Sequence, residues 1–229
     1  MKHVIITGAS GNLGKAAVEK FSREGYHVIA TTTPGKGLPF PVEENVETIE
    51  ADLTNEKSVE SAMATIIAKH KTIDAVLLLV GGYTAGGIRE TDNALLRKML
   101  SLNFETAYFV SRFIFPHMLR QEAGGRIVFV GSRSALKPVE GKSSLAYALS
   151  KSLIFNLAEM LNAEGSKRNV TCSVVVPSTI DTPINRQAMP DADFSTWVKP
   201  EQIADAMAMI CSEESKSWRG TVLKVYGQA

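Results

Sequence analysis

Tyr147 and Lys151 stand four residues apart in a chain of 229. On a helix this spacing puts both side chains on one face, ~5–6 Å apart at Cβ. A free phenol is a weak acid with a pKa near ~10. A neighbouring ammonium stabilises the phenolate and lowers that pKa, so the pair can pass a proton near neutral pH. Reduction of a carbonyl or imine needs such a proton beside a hydride, and the same lysine can hold the ribose of a nicotinamide hydride donor. Tyr-x-x-x-Lys alone is common on helix surfaces. Here it lies 16 residues after the strand-like run Arg126 to Gly131 and opens a long apolar helical pattern.

A second group of residues suits a dinucleotide. Thr7-Gly8-Ala9-Ser10-Gly11-Asn12-Leu13-Gly14 joins the first apolar run to the first helical pattern. Glycines let a phosphate approach the backbone closely. The helix that follows offers free N–H groups and the positive end of its dipole. Gly8, Ser10, Gly11, Asn12, Leu13 and Gly14 are therefore the expected cofactor contacts, in the strand–turn–helix setting the motif requires. An acid at the end of the second strand would hydrogen-bond a ribose 2′-OH and repel a 2′-phosphate. Between Tyr26 and Val42 there is no Asp or Glu, and the strand ends in Thr31-Thr32-Thr33 with Lys36 shortly after. Hydroxyls and a cation, with Thr32 central, favour NADP(H), with NAD(H) as the alternative if the Thr run is only a strand former.

With these motifs the chain resembles the short-chain dehydrogenase/reductase family over its whole length. It departs from the family's usual Thr-Gly-x-x-x-Gly-x-Gly, since Asn12 stands at the middle glycine and Gly11 comes one residue early. The resemblance implies further roles. Asp52, followed by Leu53, would meet the adenine amino group, although Asp52 also suits a helix cap. Gly81 and Gly82 stand in a loop where the family has Asn-Asn-Ala-Gly. Asn103 would anchor a water in a proton relay to Lys151. The catalytic serine would hydrogen-bond the substrate. It is Ser132 when counted from the strand and Ser134 when counted back from Tyr147; the strand anchor favours Ser132, since insertions accumulate in loops. Pro177, Ile180 and Thr182 would face the nicotinamide. The segment from Asp181 to Trp197 is similar to the substrate loop of dihydropteridine reductase-like members, where Phe194 and Trp197 would stack a flat ring or simply form a lid. Against that closer kinship, Ser132 and Asn103 are present and no acid follows the second strand. The resemblance also implies a homodimer or homotetramer built on the helices at about 99–122 and 144–165.

The elements that must position these groups alternate. Runs at Lys2–Thr7, Tyr26–Thr32, Val46–Glu50, Ile73–Val80, Arg126–Gly131, Val170–Val176 and Val222–Tyr226 read as strands. Helical patterns lie between most of them, at 12–24, 55–70, 92–122, 144–165 and 201–212. The expected fold is α/β, a Rossmann-type doubly wound parallel sheet of about seven strands with helices on both faces. The chain reads as one domain, with substrate selection in a loop at about 178–199. Such a sheet binds ligands beyond the carboxyl ends of its strands, where all the motifs above fall.

Composition excludes other classes. The chain is 45% hydrophobic and 21% charged, wrong for a disordered protein. Its formal charge of +1 carries no basic excess for nucleic acid or an anionic membrane. The longest apolar run, Ala75 to Val80, is far short of a membrane span, and Val4 to Ile6 is too short for a signal peptide. Cys172 and Cys211 read as small core residues in a reducing compartment, so a cytoplasmic protein is expected. No metal is expected, because a chain this long folds without one. The expected function is NAD(P)H-dependent reduction of a small carbonyl compound. Reduction of a quinonoid pterin is the alternative, and a catalytically silent nucleotide sensor is the alternative of another class.

Overall fold

The computed structural model describes residues 1–228. Seven parallel strands form one sheet in the order β3-β2-β1-β4-β5-β6-β7. They are β1 (His3–Thr7), β2 (His27–Thr32), β3 (Val46–Glu50), β4 (Ala75–Leu78), β5 (Gly125–Val130), β6 (Val170–Pro177) and β7 (Val222–Val225). The order reverses between β1 and β4, which opens a crevice at the carboxyl ends of those two strands. The central strands are apolar on both sides because helices cover both faces.

One face packs α2 (Glu56–His70), α4 (Thr106–Arg120) and α7 (Leu145–Gly165) over a core that includes Ile5, Ile29, Val76, Ile127 and Phe129. The other packs α1 (Asn12–Arg23) and α9 (Pro200–Cys211) over Val4, Ile6, Val28, Leu77 and Val128. Alternate residues of one strand thus enter different cores, as the period of two in a strand demands. The remaining helices are short: α3 (Asn93–Leu100), α5 (Arg133–Leu136), α6 (Pro138–Gly141) and α8 (Pro183–Ala188).

Sequence and structure differ mainly between elements. The stretch after β5, read as a loop, folds into α5 and α6, with Ser132 capping α5 and Pro138 starting α6. α8 begins the same way, with Thr182 as its cap and Pro183 in its first turn. Proline fixes φ near the helical value and lacks only an N–H that has no partner in a first turn anyway. Both cysteines are free and buried, and burial pushes each thiol up to about 12, which makes them inert core residues. Among the described residues no helix is long and apolar enough to cross a membrane.

Candidate active site

The Gly-rich turn places the N-terminus of α1 at the crevice. Gly11 occupies the cap position, and no side chain closes that end. The N–H groups of Asn12, Leu13 and Gly14 therefore have no acceptor within the helix and point to where an anion would sit. No acid in the first turn competes for the site. Gly14 lets the helix approach the turn; a Cβ there would lie 2.1 Å from the Gly8 carbonyl oxygen. The Leu13 side chain packs against the α1-side core, so only its backbone serves the turn.

Beside this turn is a cavity of about 150 Å³ bounded by Gly8, Ser10, Thr31, Thr32, Thr33, Asp52, Leu53 and Val80, among others. Five of the expected cofactor contacts, Gly8, Ser10, Thr32, Asp52 and Leu53, meet there. The Thr31 and Thr32 hydroxyls are buried without a hydrogen-bond partner. Buried polar atoms seldom go unpaired, so this wall fits the hydroxyls or phosphate of an adenosine. Asp52 does not cap α2; Asn55 does, accepting from the Ser58 N–H at 3.2 Å. One Asp52 oxygen instead accepts from the Thr54 hydroxyl (2.7 Å) and N–H (3.0 Å), which holds its carboxyl below the usual range.

Two polar side chains fix the loop after β4. Thr7 Oγ1 accepts from the Leu79 N–H at 3.0 Å and donates to the Leu77 carbonyl at 3.2 Å. Asn103 lies in a widened π-helical turn, Ser101–Glu105, between α3 and α4. Its Oδ1 accepts from the Gly82 N–H at 2.9 Å, while Nδ2 donates to the Gly82 carbonyl at 3.0 Å and to Ser150 Oγ at 3.1 Å. Gly81 must lack a side chain, because a Cβ would come within 2.8 Å of Asn103 Oδ1 and 3.2 Å of Lys151 Nζ. Asn103 is thus brought to the site as a strut for the loop. The bracing roles of Thr7 and Ser150 carry no signal in the sequence, where buried hydroxyls look like any others.

Tyr147 and Lys151 lie on α7. The Tyr147 hydroxyl is near enough to Ser132 for that side chain to draw its pKa down, and its ring meets Tyr83 edge-on with centroids 5.1 Å apart. Ser132 Oγ lies 2.6 Å from Ser134 Oγ, so both counted serines are neighbours, and Ser132 is the one beside Tyr147. The Lys151 ammonium is buried and donates to the Val130 carbonyl at 2.9 Å. Burial lowers its pKa from 10.5 to about 8. Burial raises the Tyr147 pKa, opposed by the Ser132 side chain. The helical spacing alone suggested a phenol acidified by its lysine. In the structure Lys151 is turned to Val130, and desolvation outweighs any charge effect on the phenol.

Tyr147, Ser132, Pro177 and Ile180 border a second cavity, of about 390 Å³, together with Tyr83, Ser134, Asn185 and Met189. After β6, Val198 donates to the Thr179 carbonyl (3.0 Å) and accepts from the Asp181 N–H (2.8 Å). These bonds flank Ile180 and leave its own N–H turned the other way, while Asn185 takes its carbonyl at 2.8 Å. Thr182 accepts from the Asn185 N–H at 3.2 Å as the cap of α8. Phe194 and Trp197, expected over a substrate, pack instead on one another at 4.8 Å, with Arg186 over the Phe194 ring, and neither borders the cavity.

The short-chain dehydrogenase model matches residues 2–193. The chain belongs to the short-chain dehydrogenase family. It is accordingly an NAD(P)-dependent oxidoreductase acting on small molecules. It is 28% identical to the 3-oxoacyl-[acyl-carrier-protein] reductase MabA of Mycobacterium tuberculosis, covering 99% of this chain and 92% of that one. It is 26% identical to the dihydropteridine reductase of Dictyostelium discoideum, covering 97% and 94%. Among solved structures it superposes on ElxO with NADP bound with a TM-score of 0.90 at 23% identity, covering 99% and 97%, a likeness of fold.

Proposed function

We propose that the chain reduces a small, weakly charged carbonyl compound with NADPH, Tyr147 giving the proton. Tyr147 and Ser132 together on the wall of the second cavity, with Lys151 one helical turn away, are the observation that carries this reading. The bound cofactor would supply a hydride. Ser132 would hold the substrate oxygen by a hydrogen bond, and Tyr147 would release its phenolic proton to that oxygen as the carbon is reduced. The Lys151 ammonium would hold the nicotinamide ribose and stabilise the phenolate left behind. Asn103 keeps Gly81 and Gly82 in place beneath the cofactor. Pro177, Ile180 and Thr182 would face the nicotinamide, with the Ile180 N–H free to meet its amide.

The preference for NADPH rests on the unpartnered Thr31 and Thr32 hydroxyls and the absence of an acid at the end of β2. The charged pair Arg133–Glu140, joined at 2.7 Å, is internally neutralised, so the cavity suits an uncharged substrate. A quinonoid pterin is the second reading; it is supported by the dihydropteridine reductase relative and by the exposed Tyr83 ring beside Tyr147. We read the chain as one cytoplasmic catalytic domain that forms a homodimer or homotetramer. Exposed Tyr108 on α4, with Leu149, Leu153 and Met160 on α7, supports that assembly.

Purified protein with NADPH or NADH, screened against small aldehydes, ketones, quinones and quinonoid dihydropterin, tests the reading. Turnover of a carbonyl substrate is expected. Tyr147→Phe should keep NADPH affinity and lower kcat by ~10²–10⁴. Binding of NADPH with no turnover across the panel would leave the silent sensor as the better account. A Phe variant as fast as the wild type would remove Tyr147 from the mechanism.

A further inference from the structure

The chain has four histidines, and three of them, His3, His27 and His70, meet at the end of the sheet opposite the active site. His3 and His27 open β1 and β2 and are register partners. Glu47 of β3 pairs with Ile29 of β2. Side chains two apart on a strand share a face, so His3, His27 and Glu47 all point to the face covered by α2. His70 is the last residue of α2 and comes down upon them. The negative end of that helix dipole favours a cation there.

We propose that His27, Glu47 and His70 form a binding site for a first-row divalent metal ion, with Zn²⁺ the best fit. One ligand atom from each of the three lies within 4.8 Å of the other two. His27 Nε2 is 3.6 Å from Glu47 Oε1, and His70 Nε2 is hydrogen-bonded to that same oxygen. Tetrahedral ligands at about 2.0–2.2 Å from Zn²⁺ are themselves about 3.3–3.5 Å apart, so adjustments of about an ångström complete the geometry. His27 Nε2 is buried with no hydrogen-bond partner, as is Nδ1 of His3. A buried ring nitrogen left unbonded beside a carboxylate oxygen is costly, and a cation between them would satisfy both. Two imidazoles and a carboxylate select Zn²⁺ and its neighbours over Mg²⁺ or Ca²⁺, which prefer oxygen alone.

The carboxylate can serve two cations. Its Oε2 is held by Lys69 and its Oε1 faces the histidines. Zn²⁺ binds a neutral imidazole through a ring-nitrogen lone pair, so the His70 Nε2 that now meets Glu47 would turn a lone pair to the ion while the ring keeps its proton on Nδ1. Water, or His3 after a ring rotation, fills the fourth position. The ion joins β2, β3 and the end of α2. It acts on the stability of the nucleotide-binding half and takes no part in hydride transfer.

Untagged full-length protein, stripped with a chelator and desalted, is titrated with Zn²⁺ against a chromophoric chelator. Thermal unfolding is followed alongside. One Zn²⁺ per chain should bind in the micromolar range or tighter. At about a hundredfold excess over Kd, the Tm should rise by at least about 5 °C. His27→Gln, Glu47→Gln and His70→Gln should each weaken binding at least tenfold, with NADPH affinity unchanged. Absence of stoichiometric binding, equal affinity in the His70→Gln protein, or equal binding of Mg²⁺ would each overturn the site. Should a variant misfold, Co²⁺ added to the wild type decides: strong visible absorption of a four-coordinate ion supports the site, and only the faint bands of a six-coordinate ion refute it.

Discussion

Lys151 is a buried cation whose ammonium rests on one backbone carbonyl, and replacing it should stabilise the protein. Its pKa is lowered from 10.5 to about 8 by burial. At ~1.4 kcal/mol for each tenfold change in acidity, the folded state carries a penalty of about 3 kcal/mol for keeping this group charged. Lys151→Met removes the charge and keeps most of the volume. It also leaves the Val130 carbonyl, now bonded at 2.9 Å, without its donor, which costs about 1–3 kcal/mol. The net gain is up to about 2 kcal/mol at pH 7, or up to ~8 °C in Tm for a chain of this size. The pH dependence identifies the cause. A lysine with a lowered folded pKa costs stability fully below pH 8, and the cost fades as pH rises towards 10.5, where the unfolded chain also loses its proton. Differential scanning calorimetry of cofactor-free wild type and variant between pH 6.5 and 10 (a range set by these pKa values) should show the two curves converging. A variant less stable than wild type at pH 7, or a gap that does not shrink, would refute the argument. The variant should also lose turnover, a trade of activity for stability.

Other perturbations address separate parts of the site. Asn103→Ala breaks three polar contacts and leaves both Gly82 backbone groups unpaired; urea unfolding should show a loss of about 2–4 kcal/mol. Thr32→Glu places an acid at the end of β2, and fluorescence titration should show NADPH affinity falling at least tenfold while NADH holds or improves. Leu149→Glu, on the exposed face of α7, should shift the chain towards monomer in multi-angle light scattering, with cofactor binding kept.

The strands were legible because each is a short apolar run between turn residues, and the sheet's covered faces make those runs almost continuous. The Tyr147–Lys151 pair and the Gly-rich turn were legible because both depend on local spacing. What stayed hidden depends on pairing across the fold. The two counts for the serine disagreed, with the strand anchor favouring Ser132, because α5 and α6 fold the intervening segment and bring the Ser132 and Ser134 hydroxyls to 2.6 Å. Trp197 read as a substrate-facing aromatic, yet the Val198 bridge to Thr179 and Asp181 turns that segment inward and buries its ring. The histidine cluster was invisible because its members lie on β1, β2 and the end of α2. Only strand register and a shared face bring them together.

The surroundings of Tyr147 also bear on how its proton is released. Lys151 is held by Val130 at the end of β5, and Ser150 beside it is tied to Asn103. The lysine's place is therefore set by the sheet and the widened turn, with no contribution from the phenol. Burial raises the Tyr147 pKa and so favours the protonated phenol, and Tyr147 and Ser132 border the same cavity. A reduction starts from a protonated phenol, whereas an oxidation must start from a phenolate. Under the proposed mechanism the resting protein already holds the acid form, and the ammonium is needed only after the proton has left. An environment that raises the phenol pKa keeps the acid form populated but makes it a weaker acid, so it opposes proton release in a reduction as well as the phenolate that an oxidation needs. The Lys151 ammonium is the group that can offset that cost, by stabilising the phenolate once the proton has left.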